Sequence, residues 1–247
     1  MHSRVPRVAL VTGIASGIGK AVGLRLARAG WAVGGIDVNP GGASWGDEVS
    51  EAPWAFAQAD VADADSLSQA VTRLRAELGP FTGLVHAAGI CVYTPLEQLA
   101  PEVFDRTVAV HLRGAFLCAR FVVPDMRAAG WGRIVNIGSV AGLNGGGRGI
   151  AHYAAAKAGI VGFTKALALE LGSSGVTANI VAPGLIDTPL VRGSGLPEQA
   201  IAEYGKRAPV GRVGVPEDVA AAVAYLFSDE ASYVTGQVLS PNGGVYL

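Results

Sequence analysis

Two cysteines and two methionines in 247 residues leave little sulfur chemistry to build on. Cys91 and Cys118 lack the close spacing of metal ligands, and both are expected to be buried thiols in a reducing compartment. Charge is scarce as well. Only 16% of residues are charged, the formal net charge is −1, and the chain has no basic block. That argues against nucleic acid and against an anionic membrane surface as partners. No run reads as apolar enough, over enough residues, to span a bilayer. The first residues, Met1 to Arg7, run straight into a strand-like segment and lack the apolar stretch and cleavage site of a secretory leader; cytoplasm is the expectation. What is abundant is apolar residues, half of the chain, and glycine, 35 in all. The length and composition suit one α/β domain spanning residues 1–247 with a large core.

Short apolar runs of the kind found in buried parallel strands recur along the chain. They cover Val8–Thr12, Trp31–Ile36, Trp54–Ala59, Leu84–His86, Arg133–Gly138, Val176–Val181 and Gln237–Ser240. Between them, apolar residues at helical spacing predict helices after Gly19, from Asp63 to Leu78, from Pro101 with Pro124 as a break near its end, from Tyr153 to Leu171, and from Pro216 to Leu226. Residues 39–53 predict a connection with at most a brief helix. Residues 189–213 predict a mobile, partly helical segment of the kind that covers active sites. Strands alternating with helices imply a doubly wound parallel sheet of about seven strands with helices on both faces. In such sheets ligands sit at the carboxyl ends of the strands.

The first strand ends in Gly13-Ile-Ala-Ser16-Gly17-Ile18-Gly19 and a helix follows. Glycines there let the backbone approach a pyrophosphate, which the free N–H groups at the helix start attract. Asp37 closes the second strand, 18 residues beyond Gly19, near the distance at which an acid holds the adenosine ribose hydroxyls. A carboxylate there repels a 2′-phosphate, so NAD is expected over NADP. An aspartate that merely caps the next turn is the alternative. Asp60, followed by Val61, is placed to orient the adenine edge, and Asp63 reads as a helix cap. Ala88 and Gly89 allow a flat ligand to lie close, and the Pro183-Gly184-Leu-Ile186-Asp-Thr188 stretch falls at another strand end.

Tyr153 and Lys157 are four apart and share one helix face. A phenol with a reference pKa near ~10 is a poor proton carrier at neutral pH, and a nearby ammonium lowers that value. The pair then suits the interconversion of an alcohol and a carbonyl. Ser139, at the end of the fifth strand, can hydrogen-bond the same substrate oxygen.

Together, Thr12-Gly-x-x-x-Gly17-x-Gly19, Ala87-Ala88-Gly89, Ser139, Tyr153-x-x-x-Lys157 and Pro183-Gly184 resemble the short-chain dehydrogenase/reductase family over nearly the whole chain. The resemblance implies hydride transfer between a nicotinamide and a secondary alcohol or ketone. Tyr153 is then the proton donor or acceptor, Lys157 the residue that lowers its pKa and holds the nicotinamide ribose, Ser139 the group that positions the substrate oxygen, and Thr188 a contact of the carboxamide. It further implies a homotetramer built on the helices that contain His111 and Tyr153. Two motifs depart from the family: His86-Ala-Ala-Gly replaces a start that usually carries asparagine, and His111 occupies the place of a relay asparagine. The expectation is that His111 substitutes for it, holding a water that links Lys157 to solvent, with its own pKa lowered by that lysine. Arg148, in the glycine-rich loop before Tyr153, is either a contact for an anionic substrate or a solvated loop residue. A 3-oxoacyl thioester reductase and a catalytically silent dinucleotide-binding protein are the alternatives to an NAD-linked alcohol dehydrogenase.

Overall fold

A computed structural model describes residues 6–48 and 52–247. Seven parallel strands form one sheet in the order β3-β2-β1-β4-β5-β6-β7. They are β1 (Val8–Thr12), β2 (Ala32–Asp37), β3 (Trp54–Gln58), β4 (Gly83–His86), β5 (Gly132–Ile137), β6 (Val176–Val181) and β7 (Val238–Leu239). The order reverses between β1 and β4, so a crevice opens at the carboxyl ends of those two strands.

Alternation along the strands divides the core. Val8, Leu10, Leu84, Ile134 and Ala178 pack under α2 (Ala64–Leu78), α4 (Gly114–Ala129) and α6 (Ala151–Leu171). Ala9, Val11, Val85, Val135 and Val181 face α1 (Gly17–Arg28) and α9 (Pro216–Phe227). Asp63 accepts from Asp65 and Ser66 N–H at the start of α2, the cap expected of it. Gly130, with φ of 62°, stops α4 in the left-handed conformation that suits glycine.

Several elements differ from the sequence expectation. The long helix from Pro101 is α3 (Pro101–Val108), a π-helical turn over Ala109–Arg113, and α4 in unbroken succession. Pro124 does not end it. The carbonyl that Pro124 cannot bond belongs to Arg120, an exposed position, so the missing donor leaves no polar group buried. This 29-residue run is also long and apolar enough to cross a membrane by composition, which corrects the reading that no such run exists. Half of its apolar window is buried, because the helix covers the sheet. Residues 40–48 form a 3-10 helix longer than the brief one expected; the rest of that connection, 49–51, lies outside the described residues. The loop after Ser139 holds a short helix, α5 (Ala141–Asn144). The 189–213 stretch contains α7 (Pro189–Arg192) and α8 (Glu198–Arg207). Its two stems lie side by side: Asp187 N–H donates to Gly214 carbonyl at 2.9 Å, and Gly214 N–H to Leu185 carbonyl at 3.1 Å.

Candidate active site

The crevice begins at the turn between β1 and α1. Gly13, Ser16, Gly17, Ile18 and Gly19 all line it. The glycines are sterically required: a Cβ on Gly19 would stand 2.0 Å from the Gly13 carbonyl oxygen, and one on Gly13 would stand 2.9 Å from Ala88 N. Side chains are thus excluded from the turn, and the bare backbone with the helix start behind it suits a pyrophosphate. Asp37, Asp60, Val61, Ala88, Gly89 and Thr188 line it as well, whereas Tyr153, Lys157, Pro183, Gly184 and Ile186, also expected at the cofactor, are not among its lining residues.

Asp37 does cap its own turn, and it also braces the glycine turn. Asn39 N–H donates to one carboxylate oxygen and Ala15 N–H to the other, both at 2.9 Å. Each oxygen keeps a lone pair free toward the cleft. Thr188 accepts from Val191 N–H at 3.3 Å, starting α7, and its methyl would meet a Cβ on Gly17 at 3.3 Å. That contact joins the 189–213 segment to the glycine turn. Pro183 and Gly184 follow β6; a Cβ on Gly184 would collide with the Tyr204 hydroxyl at 2.4 Å. Ile186 is buried in the stem of the same segment.

Next to Ile90, and outside that lining, His111, Tyr153, Lys157 and Ser139 come together. Ser139 follows β5 and its hydroxyl accepts from Ala141 N–H at 3.1 Å. Lys157 is buried, and its ammonium donates to the Ile137 carbonyl at 2.6 Å while lying 5.5 Å from the Tyr153 ring centroid. Burial pushes Lys157 down to about 7. The Tyr153 phenol is raised above its ordinary value, chiefly because the groups around its hydroxyl strip away water; negative charge on Cys91 adds to this and the Ser139 hydroxyl opposes it. The expected lowering of the phenol by Lys157 is therefore reversed. A lysine that itself titrates near 7 is only about half charged at neutrality, too weak a pull to outweigh desolvation of a phenolate.

His111 sits on the π turn, a feature that concentrates at functional sites. Its ring meets Tyr153 edge-on, with centroids 5.3 Å apart. Nε2 lies 2.8 Å from the Ile90 carbonyl and 3.1 Å from Ile90 N, and Nδ1 has no partner. Gly89 makes room for the ring, since a Cβ there would fall 2.6 Å from His111 Cε1. Burial first, then the charge of Lys157, hold the imidazole well below its ordinary value, the direction expected but with a second and larger cause. His86, at the end of β4, anchors the π turn from behind. The Thr12 hydroxyl accepts from Ala87 and Ala88 N–H, so its proton goes to His86 Nδ1 at 3.1 Å, and His86 Nε2–H donates to the His111 carbonyl at 3.1 Å.

One expectation fails here. Cys91 is not buried away from function. It is partly exposed, unpaired, and near enough to Tyr153 and Lys157 to influence their ionisation. The segment that carries it is pinned across the site, with Tyr93 N–H donating to the Ser194 carbonyl at 3.1 Å and Thr94 N–H to the Gly149 carbonyl at 2.8 Å. Arg148 is exposed. Sequence reasoning also passed over Arg106, Ile90 and Leu190, which line the crevice. Arg106 and Arg113 are seven apart, a same-face spacing legible in the sequence, but the turn both reach is brought near only by the fold.

A family profile described as enoyl-(acyl carrier protein) reductase matches residues 13–246. The 3-oxoacyl-(acyl-carrier-protein) reductase of Escherichia coli (strain K12) is 39% identical over 241 residues, which is 98% of each chain. The chain belongs to the short-chain dehydrogenase/reductase family. The cis-4-hydroxycyclohexanecarboxylate dehydrogenase of Sinomonas cyclohexanicum is 41% identical over 245 residues, 96% of each chain, and the nodulation protein G of Azospirillum brasilense is 39% identical over 249 residues, 97% of this chain and 98% of that one. As a short-chain dehydrogenase/reductase it is an NAD(P)-dependent oxidoreductase, and the glycine groove described above fits the dinucleotide such enzymes use.

Proposed function

We propose that this enzyme reduces the ketone of a 3-oxoacyl thioester with NADH, and that Tyr153 supplies the proton. The observation that carries the reading is Tyr153 packed against His111 and Lys157 and within reach of the Ser139 hydroxyl, beside a glycine-floored groove. The cofactor, when bound, provides the two-electron chemistry at its nicotinamide ring. The chain supplies the rest. Ser139 and Tyr153 hydroxyls both hydrogen-bond the substrate oxygen and orient the carbonyl. A phenol raised by burial is protonated throughout the neutral range, so Tyr153 meets a ketone as an acid and passes its proton to the oxygen as negative charge develops there. Lys157 then stabilises the phenolate left behind, and His111, with Nδ1 open, accepts a hydrogen bond from the water through which the phenol regains its proton.

NAD is preferred over NADP in this reading. Asp37 is fixed at the groove's edge, and among the described lining residues the one cation, Arg106, is already paired with Asp60 at 2.8 Å. A 2′-phosphate would meet an uncompensated carboxylate, at a cost on the order of ~1–3 kcal/mol. The preference for NAD and the relative that oxidises a ring hydroxy acid favour a second reading, an NAD-linked dehydrogenase of a cyclic hydroxy acid. The exposed outer faces of α4 and α6 support a homotetramer.

The test is a direct comparison on the purified protein. Acetoacetyl-coenzyme A with NADH and cis-4-hydroxycyclohexanecarboxylate with NAD are followed at the NADH absorbance band. Higher kcat/KM for the thioester supports the first reading, and higher kcat/KM for the ring acid replaces it by the second. Better turnover with the phosphorylated cofactor overturns the assigned role of Asp37.

A further inference from the structure

Beyond the groove's floor, one contact near its adenosine end is made by a residue with no part in the chemistry. Asp60 stands two residues past β3, on the far side of Asp37 from Tyr153. One of its oxygens accepts from Ala62 N–H at 2.9 Å, and the other pairs with Arg106 Nη1 at 2.8 Å. Arg113 reaches the same turn from the neighbouring π turn and donates to the Ala62 carbonyl. Both Asp60 and Arg106 line the crevice, with side chains 32% and 46% exposed. Partial burial pushes Asp60 up, but the Ala62 N–H and Arg106 together outweigh it and keep the acid ionised below its ordinary range.

A dinucleotide laid along this groove, with its nicotinamide at Tyr153 and its ribose at Asp37, puts its base beside Asp60. We infer that Arg106 is a base-specificity residue: it holds the Asp60 carboxylate with its free lone pairs toward the base, so that the site takes a purine carrying an exocyclic amine and rejects one carrying a carbonyl there. The chemistry follows from the donor inventory. A carboxylate only accepts, so it pairs with the 6-amino group of adenine and repels the 6-oxo group of hypoxanthine. An exposed ion pair contributes little to folding; its effect here is orientation of one partner. Without Arg106 the Asp60 carboxylate keeps the bond from Ala62 N–H but loses its second anchor, so it can pivot about that bond and the discrimination fades even though the carboxylate remains.

This inference rests on the proposed cofactor site, and binding rather than turnover tests it. Calorimetric Kd values are measured for NAD and for nicotinamide hypoxanthine dinucleotide with wild type, Arg106→Leu and Arg106→Lys. The wild type is expected to favour the adenine form about tenfold, the worth of one hydrogen bond to a charged group. Arg106→Leu is expected to bring the ratio near unity, and Arg106→Lys to keep an intermediate value. A thermal melt superposing on wild type confirms that each variant is folded. An unchanged ratio in Arg106→Leu, or an equal loss for both ligands, overturns the inference and leaves the cofactor site standing. A selective loss of NADP binding also overturns it, because the guanidinium then serves a phosphate. If the wild type binds neither dinucleotide, the cofactor site itself fails and the inference falls with it.

Discussion

The buried lysine is the most costly residue in the site. Lys157 titrates near its ordinary 10.5 in the unfolded chain and at about 7 when folded. The unfolded state therefore binds more protons between those values, and stability rises with pH across that window. The penalty is fully present below about pH 7 and relieved toward 10.5. Lys157→Met is expected to be inactive yet more stable at pH 7, by on the order of 1–3 kcal/mol after the loss of the Ile137 carbonyl's partner. Urea unfolding at pH 7 and 9 measures this: the stability gap between variant and wild type should shrink as pH rises. A variant less stable than wild type by the same amount at both values would refute the burial cost. His111 permits a second experiment at the same scale. If it carries the relay, His111→Asn sustains turnover, since an amide can also accept and donate, while His111→Ala loses about 10²-fold in kcat, the low end for a proton-transfer partner. An Ala variant as fast as wild type across pH 5–9 would make the imidazole packing only. Tyr153, Lys157, Ser139 and His111 were legible in the sequence as residues, because spacing and family resemblance name them. Their ionisation was not. It depends on how much water the fold removes, and desolvation of Tyr153 reversed the direction that charge proximity alone suggested.

Among elements, the β1–α1 turn carries the strongest steric constraint. Gly19→Ala places a methyl 2.0 Å from the Gly13 carbonyl oxygen and 3.0 Å from that of Thr12, so the turn must shift. Cofactor affinity is expected to fall by more than tenfold with a lower melting temperature, read by calorimetry and a thermal melt; retention of both would show that the turn is looser than its packing indicates. This element was fully visible in sequence, since strand, glycines and helix follow one another. The continuous helix over residues 101–129 was less so. Its apolar spacing marks a helix, but the π turn that presents His111 and frees the carbonyl for His86 leaves no periodic signature. Pro124 was misread as a break because the sequence does not show which carbonyls face water. The stems of the 189–213 segment pair with each other through Leu185, Asp187 and Gly214, a contact that no local pattern encodes.

At the scale of the whole molecule, alternation of strands and helices was enough to foresee the parallel sheet and a ligand site at the carboxyl ends of its strands, but not the strand order. Contacts distant in sequence were beyond it, such as Arg106 on Asp60 and Tyr93 on Ser194. The assembled protein offers one further test. Phe116 and Leu169 are 45% and 88% exposed on α4 and α6, apolar side chains that packing of these helices against a second copy would cover. Light scattering is expected to give four protomers of 25.1 kDa, and Leu169→Glu to shift the population toward smaller species. A monomer at micromolar concentration would rule out the tetramer.

The central claim is that Tyr153 moves the proton while the chain holds substrate and cofactor for direct hydride transfer. It is tested most directly by running the reduction with NADH deuterated at C4 and comparing wild type with Tyr153→Phe. The account predicts deuterium on the carbinol carbon of the wild-type product, with one face of the nicotinamide used, and a loss of about 10²–10⁴ in kcat for Tyr153→Phe with NADH Kd within twofold of wild type. Product lacking the label, or a Tyr153→Phe variant that keeps half its turnover, would contradict it.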